Sequence, residues 1–404
     1  MLRNRSLLAI ALVVAATFTG IGMVVPVRVL YAQAHGASLA IIGAMASAFL
    51  LANFLCQYPA GWLADLWGRK PLMIAGLAVQ AALALVYLVV PDPLVFVILR
   101  FVEGAVAASV LPAARALVVD AVPPERRGEA FGIFASFLNA GFLLGPAIGG
   151  ALASFGYASA FVGSCVCRLL ALAIVLTLVR VEGPARHHES RARARAVPWR
   201  ALFTLPLIGA YVLVFGDNLY FGFDLTLMPL WMRHHLSASV ALIGLAYALW
   251  ALPNMIGAPF GGQLADHVRR SALIVAFGVM QVPLYAAYGL LTSIVPVIVL
   301  FAVHGAVYAL MQPAVDATLA TASPPNARAR AQSAYSAVGL ASAFLAANAL
   351  NALYALDFRL PLFAMAAGFG LCVLVGGTLI RLSERRGLVP TAQPAAMAEG
   401  PTTG

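Results

Sequence analysis

The sequence predicts an all-α integral membrane protein, with twelve transmembrane helices in two pseudo-symmetric six-helix bundles and both termini in the cytoplasm. Three observations predict it. The 404-residue chain is 62% hydrophobic and only 10% charged, too little charge to coat a soluble protein of that length. Its basic residues gather on one side of the apolar runs. The chain also nearly repeats itself at a constant offset, with Asp65 falling on Asp266.

The apolar runs come first. Each has 18 or more residues, long enough to cross ~30 Å of hydrocarbon. They are continuous and do not alternate, which argues against a membrane barrel. Judged by length, the spans cover roughly 6–31, 38–62, 72–91, 94–119, 128–154, 157–180, 203–231, 238–262, 272–292, 294–320, 330–354 and 359–381. Residues 1–181 then form an N-terminal bundle and 200–384 a C-terminal one. The basic, apolar-poor stretch 182–199 reads as a cytoplasmic linker, and 385–404, ending in Pro, Ala, Gly and Thr, as a disordered tail. Met1–Arg5 followed by an apolar stretch has the outline of a signal peptide. That stretch is about twice a typical h-region and carries Arg28, so an uncleaved first span is expected.

The charge decides the orientation. The net charge of +10 alone would suggest nucleic acid, but its placement suggests a membrane. Of 25 Lys and Arg, 19 lie at the termini and in the loops that follow even-numbered spans, two (Arg233 and Arg359) in the opposite loops, and four inside spans. The positive-inside rule then places these basic loops and both termini in the cytoplasm, as expected for a multi-pass protein of a bacterial-type inner membrane. The basic loops also attract anionic lipid.

The repeat organises the rest. A single shift carries Leu63-Ala64-Asp65 onto Leu264-Ala265-Asp266, Gly104 onto Gly305, Pro112 onto Pro313 and Pro123-Pro124 onto Pro324-Pro325. Two halves of like topology are the pattern of a parallel repeat about an axis along the membrane normal, whose central cavity opens to each side in turn. This favours a transporter over a channel, which needs a continuous selective pore.

Three motifs now resemble the major facilitator superfamily over nearly the whole chain. Gly61, Asp65, Gly68, Arg69 and Lys70 follow its loop signature after the second span, with Leu66 where a basic residue is common. Arg100 and Gly104 match a span-four motif. Gly141, Gly145, Pro146, Gly149 and Gly150 resemble the antiporter motif of the 12-span drug–proton antiporter branch, while the counterpart AANALN at 346–351 lacks the glycines. The resemblance implies that the Asp65–Arg69 cluster, with Asp120 as second partner, latches the bundles in the outward-facing state. Small-xxx-small glycine faces pack helices closely, and Pro146 bends its helix.

Charges inside spans are costly and invite functional readings. Arg100 and Glu103, three apart, share a helix face; the family motif usually has Gln at position 103, and protonating Glu103 would release Arg100. Asp217 and Asp224 lie two turns apart in VFGDNLYFGFD. Asp217, at mid-depth among phenylalanines, is the first choice for proton coupling, followed by Glu103, Asp224 and Asp316. Arg115 and Asp316 are repeat mates expected to form a salt bridge that closes the cytoplasmic side. Arg28 and Asp224 are expected to pair at the opposite gate, and Arg168 has no evident partner. The acid typical of the first span in this branch is missing. Phe215, Tyr220, Phe221, Phe223, Tyr247, Trp250 and Tyr308 are read as packing more than as a substrate cavity.

Cys56, Cys165, Cys167 and Cys372 all sit in apolar spans and read as packing residues, so no metal site is expected. No phosphate-binding Gly-x-x-x-x-Gly-Lys loop occurs, so a proton gradient and no cofactor is the expected energy source. No catalytic constellation is evident, so the chain is expected not to be an enzyme. The sequence reads as a monomeric, proton-coupled antiporter exporting small amphipathic compounds. A proton-coupled sugar or metabolite transporter, or a lipid flippase of the same fold with Arg28 and Arg100 on a phosphate headgroup, is the alternative.

Overall fold

A computed structural model describes residues 4–123, 126–179, 199–324 and 328–388. The expected linker and almost all of the tail therefore lie outside the described residues. The chain is all-helical there: α1 (Arg5–Ala34), α2 (Leu39–Trp67), α3 (Arg69–Val89), α4 (Pro93–Ala121), α5 (Arg127–Ala153), α6 (Tyr157–Thr177), α7 (Leu205–Thr226), α8 (Met228–His235), α9 (Val240–His267), α10 (Arg270–Tyr288), α11 (Ile294–Ala322), α12 (Arg328–Leu356) and α13 (Leu360–Arg385). All but α8 are long and apolar enough to cross a membrane, giving twelve candidate spans.

Helix starts follow local chemistry. Asn4, Ser38, Asp92 and Ser239 each accept, through a side-chain oxygen, a hydrogen bond from a backbone N–H of the first turn, which satisfies otherwise orphaned donors. Ser38 and Ser239 are repeat mates. Between α2 and α3 the chain turns at Gly68, whose φ of 88° suits a residue without a side chain.

The seventh span corrects the sequence reading. It was expected to run unbroken to 231, but α7 stops at Thr226 and α8 restarts at Met228. Pro229 in the first turn of α8 has no N–H to return to the preceding turn, so the α-helical ladder breaks there. The first five residues of α8, Met228–Met232, are then buried, with Trp231 fully enclosed.

Packing repeats in the two halves. A Cβ on Gly104 would strike the Phe49 carbonyl on α2, and one on Gly305 would strike the Trp250 carbonyl on α9. Each glycine lets the fourth helix of its half lie against the second at backbone contact. Across the halves, Gly43 on α2 lies against Ala347 and Asn351 of α12, while its mate Gly244 on α9 lies against Pro146 and Gly150 of α5. Two related seams therefore join the bundles. Hydrogen bonds reinforce the same region: Asn351 Nδ2 donates to the Leu39 carbonyl at 2.9 Å and Asn348 Nδ2 to Ser47 Oγ at 2.7 Å. His234 and Gln33, again repeat mates, meet at 2.7 Å. These contacts lie in the half of the molecule away from the basic loops. Large apolar side chains such as Leu94, Ile98, Leu371 and Leu374 remain exposed, as lipid-facing residues are.

Candidate functional site

The buried charges meet on the N-terminal half. Glu103 of α4 accepts from Arg100 Nη1 at 3.0 Å and from Arg28 Nη2 of α1 at 2.9 Å, and Arg168 Nη2 of α6 stands 3.8 Å away. The 100/103 pairing follows from helical spacing, as the sequence suggests. The other two partners come from helices far apart in sequence. Arg168 is held by Ser164 Oγ one turn earlier, and Ser164 in turn donates to the Gly20 carbonyl at 2.5 Å. The Arg100 guanidinium lies 4.0 Å from the Phe49 ring centroid, and that of Arg28 lies 6.0 Å from that of Tyr87, both placed for cation–π attraction.

This geometry corrects two expectations. Arg28 pairs with Glu103 of its own bundle and not with Asp224. Arg168, which had no evident partner, belongs to the same cluster. Glu103 is accordingly shared by three guanidinium groups, so losing its charge would strand Arg28 as well as Arg100.

The C-terminal half contributes acids that have no cationic partner among the described residues. Tyr308 of α11 donates to Asp217 Oδ2 at 3.4 Å. Asp224 has one carboxyl oxygen, Oδ1, buried and without a hydrogen-bond partner, and Tyr247 donates to its backbone carbonyl at 3.3 Å. Asp316 accepts from Gln312 at 3.0 Å, and Gln312 also donates to Tyr335. The expected Arg115–Asp316 bridge is absent: both residues are exposed, and Asp316 takes Gln312 instead. They belong to the basic-loop half of α4 and α11, whereas the bundles are clasped in the other half.

His304 is a residue the sequence reading missed. It is buried between Tyr220, Tyr285, Tyr288 and Trp250, and its Nδ1 lies 3.2 Å from Tyr288 Oη. The signal was available, because the repeat offset carries Glu103 onto His304. Of the aromatic run on α7, Phe223 is fully buried and Phe221 faces outward, in keeping with a packing role.

The loop signature is only partly described. Arg69 donates to the Ala116 carbonyl at 2.8 Å and pairs with Asp120, as expected. Lys70 Nζ donates to the Val179 carbonyl at 2.7 Å, beyond the end of α6. These partners all lie within the N-terminal half. Gly61 and Asp65 are on α2, but the Asp65 side chain lies outside the described residues. In the second half Arg270 repeats the contact of Arg69, donating to the Ala317 carbonyl at 3.1 Å and to Thr321 at 2.7 Å, so Thr321 stands where Asp120 stands. Glu384, unremarked in the sequence, accepts from the backbone N–H and hydroxyl of Ser271, the mate of Lys70. The antiporter-type glycines divide their work: Gly141, Gly145 and Gly149 pack on α1, whereas Gly150 packs on α9 of the other half.

Residues 8–227 and 219–400 match the family model described as Major Facilitator Superfamily. The chain belongs to that superfamily. As a major facilitator it is a membrane transporter by family and fold. A 137-residue stretch is 37% identical to an uncharacterised MFS-type transporter of Methanocaldococcus jannaschii, covering 34% of this chain and 36% of that protein. A 219-residue stretch is 26% identical to the quinolone resistance protein NorA of Staphylococcus aureus, covering 53% of this chain and 56% of that protein. These matches span about a third to just over half the length of the curated relatives. By shape it resembles a bacterial homologue of the human lysosomal transporter Spinster in an inward-facing, occupied conformation, with a TM-score of 0.74 and 18% identity over 96% of this chain and 98% of that one. An autoinhibited POT family peptide transporter gives 0.75 at 15% identity, over 93% and 97%. A D-xylose–proton symporter gives 0.68 at 15%, over 96% and 98%. Identities this low speak for the fold alone.

Proposed function

We propose that the protein is a proton-coupled antiporter that exports small amphipathic compounds across a bacterial-type inner membrane by alternating access. The observation that carries this reading is on α7. Asp224 presents a buried, unpartnered carboxyl oxygen, and Asp217 holds a single 3.4 Å hydrogen bond from Tyr308. The next residue, Leu225, lines a cavity shared with Arg28 and Arg100. Among the described residues neither acid has a cationic partner, which suits them to taking up and releasing protons, since intramembrane acids mark proton pathways. The seams at Gly43 and Gly244 close the half away from the basic loops. With those loops cytoplasmic by the positive-inside rule, this form is closed toward the outside. The stretch resembling NorA supports efflux of amphipathic compounds.

The test imposes a pH gradient on proteoliposomes and follows the movement of lipophilic fluorescent dyes together with proton movement. Gradient-driven dye flux that disappears in Asp217→Asn, with dye binding retained, is the expected result. Unchanged flux in both Asp217→Asn and Asp224→Asn overturns the assignment of the coupling acids.

A further inference from the structure

The N-terminal wall of the cleft carries more positive charge than its one acid neutralises. Arg28, Arg100 and Arg168 surround Glu103, so three cations and one anion leave two positive charges. All four side chains belong to residues at least nine-tenths buried, with 7%, 4%, 2% and 7% of their surface exposed. Among the described residues no other carboxylate pairs with these arginines. Such a surplus away from water is unfavourable until a counter-charge arrives.

The surplus is directed. Arg28 and Arg100 line a cavity of about 20 Å³ between α1, α2, α4 and α7, room for a water or one oxygen of an acid group. Arg28 Nε has no hydrogen-bond partner. Arg168 is not among the lining residues; tied to Ser164, it adds charge from behind. The other walls are apolar: Val25 and Val29 of α1, Ile42 and Met45 of α2, and Leu225 of α7. Guanidinium forks match carboxylates and phosphates, and the apolar walls around this oxygen-sized space leave the arginines as its polar partners.

We infer that the cleft receives amphipathic organic anions, with one oxygen of the carboxylate or phosphate in the cavity at Arg28 and Arg100 and the apolar body extending out past its apolar mouth. This rests on the transporter reading of the same cleft and narrows its substrate class. The acid head belongs to a free organic acid or to an anionic lipid, and the chemistry at the arginines is shared by both.

The test is calorimetric binding to the full chain in phosphatidylcholine nanodiscs, without any gradient, using naphthoate and its neutral analogue naphthamide. Naphthoate is expected to bind about tenfold or more tightly than naphthamide, the difference a charge-assisted contact makes. Arg168→Met removes one positive charge without opening the cavity and should weaken naphthoate alone. Glu103→Gln adds one net positive charge and should strengthen it; opposite shifts in two buried variants are not what misfolding produces. In nanodiscs enriched in phosphatidylglycerol, weakened naphthoate binding identifies a lipid headgroup as the anion, and unchanged naphthoate binding identifies the free acid. Equal affinity for acid and amide, no binding of the acid in either bilayer, or both variants shifting affinity the same way overturns the inference. Because no proton moves in this experiment, its failure leaves the proton-coupling reading standing, and the reverse holds as well.

Discussion

The two halves share a skeleton and differ in charge. Gly104 and Gly305 seat the fourth helix of each half on the second, Arg69 and Arg270 tie the third helix to the fourth, and Gly43 and Gly244 build the two seams. Gln80 and Gln281, also repeat mates, are both buried. Their ionisable residues part company. The first half gathers three arginines on Glu103. The second has His304 at the matching place and three acids, Asp217, Asp224 and Asp316, none in an ion pair among the described residues. Backbone contacts tolerate little change because a Cβ has no space there. Side chains away from these backbone contacts are free to diverge, so the same scaffold can hold an arginine-rich half beside an acidic one.

That contrast can be broken or sharpened experimentally. The largest effect belongs to Asp217→Asn, which should abolish gradient-driven flux in proteoliposomes while leaving the thermal unfolding of the purified protein nearly unchanged. Glu103→Gln comes next. Removing the only acid among three arginines should destabilise the protein by about 3–5 kcal/mol, the cost of stranding a buried charge, measured by unfolding in detergent. Its counterpart His304→Gln, with no ion pair to lose, should cost far less. Gly104→Ala and Gly305→Ala should each cost about 1–3 kcal/mol from overpacking. Similar losses at the two sites support the repeat, and a loss at only one breaks it. The smallest effect is expected from Thr321→Asp, which gives Arg270 the carboxylate that Arg69 has in Asp120. This exposed pair should change stability by less than ~1 kcal/mol, and a double-mutant cycle with Arg270→Gln would measure it.

Much of the site was legible because it is local or repeated. Arg100 and Glu103 meet because residues three apart share a helix face. Asp120 was visible as the partner of Arg69 at the ends of neighbouring helices. The gates were misread for the opposite reason. Repeat symmetry gives Arg115 and Asp316 comparable depth, but it does not say which half of the molecule is clasped. Arg28 likewise sits near the outer end of α1, yet its helix turns it inward to Glu103. His304 was overlooked because it stands alone in an apolar run, and only its alignment with Glu103 draws attention to it.

The sequence by itself determined the twelve spans, the twofold repeat and the lopsided basic loops. Each depends on composition or spacing along one chain, and hydrocarbon leaves a helix little choice when every backbone group must be satisfied internally. Only the tertiary structure decided that Arg168 joins Arg28 and Arg100 around one carboxylate and that the bundles are clasped away from the basic loops. Side chains on helices distant in sequence meet through the rotation and tilt of whole helices, which packing sets and no local pattern encodes.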